Sequence, residues 1–194
     1  MWTNTSLTES VPPDVEPVTA QETADYGRID EEDDQPLLDA MITASRQVVE
    51  AMGNLALISR TYEARWDCWP KNGELWLPRY PVSSITKVEY YDADNTLQTW
   101  TGYDTDIYSI PARITLSYGE TWPTLRERTG AIIVTYVAGY GATGESVPTA
   151  LKMAVKAGAL ALYELRDSHI ESNVIRDNPV VKNLVNAYAI RPNP

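Results

Sequence analysis

Gly139, Gly141 and Gly144 in the string GYGATG have the G-x-G-x-x-G spacing that lets backbone amides approach a pyrophosphate in a dinucleotide site. That chemistry needs the glycines to run straight into a helix whose N-terminus faces the phosphates. Here Glu145, Ser146 and Val147 intervene before Pro148, and no later strand completes a βαβ unit, so the string reads as a loop. Asp92, Asp94 and Asn95 begin like a calcium loop. Leu97 stands where that loop requires glycine, and Tyr103 where it requires glutamate, so a β-turn is expected instead. Cys68 is the only cysteine and His169 the only histidine. Together they cannot supply a structural zinc site, and nothing near Cys68, placed by alternation in a strand, predicts a lowered thiol pKa. Asp167, Ser168 and His169 are consecutive at a helix end, where a histidine suits the helix dipole, and adjacency is not triad geometry. No catalytic or metal site and no cofactor is expected, and the work of the chain falls to binding surfaces.

The residues best suited to such surfaces are aromatic. The chain has 12 Tyr and 6 Trp but no Phe, so its rings carry polar tips suited to half-buried strands and contacts. Trp66, Trp69, Trp76, Tyr80, Trp100 and Trp122 could line a sugar-binding face, cover a β-block, or anchor a protein partner.

The elements that must position these residues follow from periodicity. Residues 1–18 are polar, rich in Pro and acid, and aperiodic, which predicts a mobile arm. Thr19 and Glu22 form a capping box for a helix over 20–27. A second helix begins near Pro36, with Leu37, Leu38, Met41, Ile42, Val48, Val49 and Met52 on one stripe and Gly53 as its cap. From about 55 to 138 the period is two: Tyr62, Ala64, Trp66 and Cys68 alternate with polar residues, as do Ile114, Leu116 and Tyr118. The run 131–138 reads as a buried strand, so an antiparallel block of about six strands is expected. Pro148 opens a third helix in which Ala157, Gly158, Ala159 and Ala161 permit close backbone approach. Asn178 and Pro179 start a last short helix with Val181, Leu184, Val185 and Tyr188 on one side, followed by an extended tail. The fold class is therefore α+β: a helical body with an antiparallel β-block inserted between its second and third helices, plus a C-terminal short helix and tail. As domains, this gives an arm over 1–18, one α+β domain over 19–177, and a docking segment over 178–194.

Charge narrows the partners. Of the net −11, residues 1–50 carry −10 (two bases, twelve acids), and the remaining 144 residues carry −1 (14 bases, 15 acids). Neither part has the basic stripe that grips phosphates. A single cysteine fits a reducing compartment, and MWTNTSLTES has neither the basic nor the apolar region of a signal peptide. The longest apolar run, 157–163, is too short for a membrane span.

The order of several strings resembles the bacteriophage head–tail connector (adaptor, head completion) proteins of long-tailed phages. They are EPVTAQETADYGRID, DDQPLLDAMITASRQVVEAMGNLALISRTYEARWD, ELWLPRYPVSSITKVEYYDADNTLQTW, GAIIVTYVAGYG, VPTALKMAVKAGALALYE and LVNAYAIRP, which together run over about residues 15–191. The resemblance implies a virion neck protein assembled in the host bacterial cytoplasm. About a dozen copies would form a closed ring under the portal protein, extend the DNA channel without holding the DNA, and meet a stopper or tail-completion protein. No membrane is implied. The expected partner interface comprises Val181, Leu184, Val185, Tyr188, Ile190 and Arg191, with Trp66, Trp100 and Trp122. The alternative is a carbohydrate- or receptor-binding tail component with a Trp ladder on one β-face.

Overall fold

A computed structural model describes residues 6–9, 11–29, 35–165 and 174–190. The fold is α+β, with 34% helix and 26% strand. The chain divides into two compact units where one domain was expected. Of the described residues, one gathers those up to Pro12 with Arg60–Gly139; the other gathers those within Pro13–Ser59 and from Tyr140 to Ile190.

Among the described residues the β unit holds eight strands: β1 (Ser6–Glu9), β2 (Arg60–Trp66), β3 (Glu74–Trp76), β4 (Val82–Tyr91), β5 (Leu97–Trp100), β6 (Tyr103–Asp106), β7 (Arg113–Leu116) and β8 (Ile132–Ala138). They form an antiparallel five-stranded sheet, β1-β2-β8-β4-β5, and a three-stranded sheet, β3-β7-β6. The alternation in β2 is strict, with Tyr62, Ala64 and Trp66 buried and the residues between them half-exposed. β8 lies between β2 and β4, and its first three residues are buried on both faces, in keeping with its apolar run. Residues 6–9, expected as part of an arm without regular structure, form edge strand β1, with Ser6 opposite Arg65 and Glu9 opposite Tyr62. Its residues carry no strand pattern, because only Leu7 is even half-buried.

The helical unit holds α1 (Ala20–Gly27), α2 (Gln35–Gly53), α3 (Thr149–Glu164), α4 (Val174–Asp177) and α5 (Pro179–Asn186). Both halves of the capping box are formed at α1: Thr19 Oγ1 accepts from Glu22 N–H, and Glu22 Oε2 accepts from Thr19 N–H, each at 3.1 Å. The left-handed residue after α2 is Asn54 (φ 54°), whereas Gly53, the expected cap, is still helical and buried. The small residues of α3 act as expected: a Cβ on Gly158 would collide with Ser45 of α2, whose hydroxyl donates to Val155 O at 2.8 Å.

A buried charged cluster, unforeseen in sequence, braces this unit. Arg46 on α2 pairs with Glu16 at 2.7 Å and with Glu50 at 3.0 Å; Thr43 donates to Glu16, and the Leu57 N–H donates to Glu50 at 2.8 Å. Arg46 and Glu50 are almost wholly buried, so removing either partner strands a charge out of water. Glu16 is followed by the buried residues Pro17 and Val18. The segment 16–18 is thus packed on the helices and is no free arm.

Candidate partner interface

The nine residues expected to contact partners separate into groups. Asn178 caps α5, its carboxamide accepting from Val180 N–H (2.9 Å) and Val181 N–H (3.3 Å), and Pro179 fills the first turn. Val181 and Val185 are fully buried, and α5 packs against α3. Ile190 is buried too; its N–H donates to Gly53 O at 2.9 Å, and its carbonyl accepts from Asn54 Nδ2 at 3.0 Å. Placing Val181, Val185 and Ile190 at a partner interface is therefore corrected. The apolar side of α5 found its partner within the same chain, because an eight-residue helix is stable only when such a face is covered. Leu184 is half-buried and Tyr188 exposed, so these two keep surface to offer. Arg191 lies outside the described residues.

The tryptophans are similarly occupied. Trp66 points into the β-unit core. Trp69 stacks on Trp122 (centroids 4.5 Å, 18° between planes), and Trp100 lies 5.1 Å from Trp69 and 4.9 Å from Trp122. Trp69 Nε1–H donates to Pro123 O at 2.8 Å, fastening the strandless stretch between β7 and β8 to the β2–β3 connection. Each ring pair adds about 0.5–1.5 kcal/mol beyond area burial. Trp66 and Trp100 are thus core residues and offer no contact surface. Trp122, half-buried, has its ring faces turned to its neighbours. Rings turned on one another leave no row of open faces for a sugar.

What the β unit exposes instead is tyrosine. Tyr108 is 92% exposed, Ile110 61%, and Tyr118 completely. Tyr108 and Ile110 ride the β6–β7 connection, and Tyr118 the turn after β7, so they lie beyond opposite ends of that strand. Both turns are held from within. Asp106 accepts from Ser109 N–H (3.0 Å), from Ser109 Oγ–H (2.5 Å) and from Arg113 Nε (3.1 Å). The Ser109 bonds, side chain first, hold the Asp106 carboxyl below its ordinary pKa. Arg113 also reaches Glu74 at 2.7 Å and lies over the Trp76 ring at 5.3 Å. At the other end, Ser117 donates to Asp104 at 2.9 Å and Gly119 takes φ 83°. A fixed turn presenting an exposed tyrosine loses little entropy on contact. The sequence signal lies in Tyr118-Gly119, a turn dipeptide carrying a large ring, although the spacing of Tyr118 from Ile114 and Leu116 also continues a strand alternation.

The remaining sequence motifs are structural. A Cβ on Gly144 would collide with the Pro17 carbonyl, and one on Gly141 with Ser146, so these glycines of GYGATG serve close packing. Asp92 Oδ1 accepts from Asp94 N–H (3.0 Å) and Thr96 N–H (2.9 Å), giving the expected turn. The bond from Thr96 first, then one that Gln98 Nε2 donates to Oδ2 (2.9 Å), lower its pKa. Cys68 lies beyond the end of β2 and is exposed, a correction to its expected place in a strand. His169, Asp167 and Ser168 lie outside the described residues, as does the acidic run 30–34. Among the described residues no group of three or more His, Cys, Asp or Glu could hold a metal ion, and no helix is long and apolar enough to cross a membrane.

No protein-family model matches the sequence, and no curated protein matches it. Solved structures do. The chain is similar to one in the neck of an empty GTA particle computed with C6 symmetry, with TM-score 0.79 and 23% identity. It is similar to one in the virion of a native gene transfer agent (GTA) particle, with TM-score 0.78 and 22% identity. A third is in the neck of a native GTA particle computed with C12 symmetry, with TM-score 0.76 and 23% identity. Each likeness covers 97% of both chains, and at this identity it establishes a shared fold.

Proposed function

We propose that this chain is a structural subunit of the neck of a tailed, phage-like particle and performs no catalysis. Copies form a closed ring, twelve in number, beneath the portal protein, extend the DNA channel, and meet a stopper or tail-completion protein on the far side. The observation that carries this reading is the likeness to neck chains over 97% of both lengths, in assemblies computed with C6 and C12 symmetry. Charge supports it. Residues 51–194 are nearly neutral and residues 1–50 strongly acidic, so a channel built from this chain lets DNA slide without gripping phosphate.

The test is the mass of the assembly. Light scattering of the pure chain gives monomers or small oligomers, and adding the portal protein drives ring formation. A stable tetramer indifferent to portal would point to a different function.

A further inference from the structure

β1 is attached unlike any other strand of its sheet. It is four residues long, with Leu7 alone half-buried, so apolar burial contributes almost nothing to its place. Among the described residues, the backbone ladder to β2 and the Glu9–Arg60 ion pair at 2.8 Å hold it. The Arg60 side chain is nearly buried and lies over the Tyr62 ring at 5.3 Å, and the docked strand brings it a carboxylate. The other strands of the β unit follow one another in sequence from Arg60 to Ala138, whereas β1 comes from before the helices. The chain leaves the β unit at Pro12, and the next fixed point is Glu16 on Arg46. Pro12 and Pro13 restrict the backbone of that connection, which bends at Asp14 and Val15.

We propose that the β2 edge with Arg60 is a strand-acceptor site, and that in the assembled ring residues 6–9 of a neighbouring copy fill it. This rests on the neck reading given above. The free protomer fills the site with its own strand. Exchange conserves every bond, since the incoming strand has the same sequence and brings the same glutamate. An edge left empty would be a template for indiscriminate pairing, so the site is occupied in both states. Residues 10–15 let the strand reach roughly 20–25 Å from Glu16 at about 3.3–3.6 Å per residue, and a ring holds neighbours at an effective concentration of about millimolar. The outcome is a ring whose subunits are laced through one sheet each.

Thr8 and Glu63 are register partners on the outer face of β1 and β2. With Cys68→Ser removing the native thiol, Thr8→Cys and Glu63→Cys are made separately and together, and treated with a short bis-maleimide. The double variant, as dilute protomer, links within one chain. Rings assembled on portal from equal amounts of the two single variants give a two-chain product at about a quarter of the interfaces, as random placement in a cyclic array requires. Rings that form, as seen by electron microscopy of the same sample, yet give no two-chain product while the double variant still closes on itself overturn the exchange and leave the neck reading intact. If portal induces no ring, the neck reading falls and the exchange with it.

Discussion

The helical unit and the β unit use their apolar side chains in opposite ways. In the helical unit, the side chains most suited by sequence to meet a partner, Val181, Val185 and Ile190, are consumed by its own core. In the β unit, the large tryptophans are consumed by a cluster while Tyr108, Ile110 and Tyr118 stand on braced turns in water. The contrast teaches that an apolar stripe on a short terminal helix is weak grounds for an interface. A helix of that length needs its stripe covered merely to exist. A large ring in a turn has no such debt to the fold, so its exposure asks for another explanation.

The largest expected effect comes from ending the chain after Asp177. If the C-terminal segment is core, the shortened protein loses its cooperative unfolding transition or aggregates, as circular dichroism and gel filtration would report. A shortened protein that melts normally but fails to join portal would reverse the comparison and restore α5 as a docking element.

Next is Arg46→Met, which strands Glu16 and Glu50 around a largely buried position. The expected loss is about 3–5 kcal/mol by urea unfolding, the cost typical of breaking a buried pair from one side. A loss below about 1 kcal/mol would mean that the cluster behaves like a surface ion pair.

The β-unit prediction has the reverse signature. Tyr108→Ser with Tyr118→Ser changes stability by no more than about 0.5 kcal/mol, as for ordinary surface sites, while ring formation on portal is lost. Normal assembly by the double variant would show that the exposed rings are incidental.

The smallest effect sharpens why the Tyr108 turn is fixed. The Asp106 pKa is lowered in the folded chain, so its contribution is present above its unfolded value and is lost as pH falls through the lower folded one. Below about pH 4, protection of the Ser109 amide, taken relative to intrinsic exchange at the same pH, should therefore fall, and Asp106→Asn should abolish that fall. Protection unchanged down to about pH 2 would separate the turn from its carboxylate.

Much of the fold was legible because local rules and packing agreed. Thr19 and Glu22 announced α1, Asn178 and Pro179 announced α5, and the alternation from Tyr62 to Trp66 announced β2. What escaped had no local signature. β1 is specified by a distant edge and one arginine rather than by its own pattern. The division into two sheets depends on long-range register, and the Arg46 cluster joins residues remote in sequence. The interface was the least legible part, since burial decides which apolar residues remain available and composition cannot show burial.

The most direct test is a cryo-electron microscopy reconstruction of the head-to-tail junction of particles that contain this chain. The proposed role predicts a closed twelve-membered ring under the portal, each subunit matching this fold, with Tyr108 or Tyr118 at contacts between chains. A junction without the chain, or one copy of it decorating a distal tail fibre, would contradict that role.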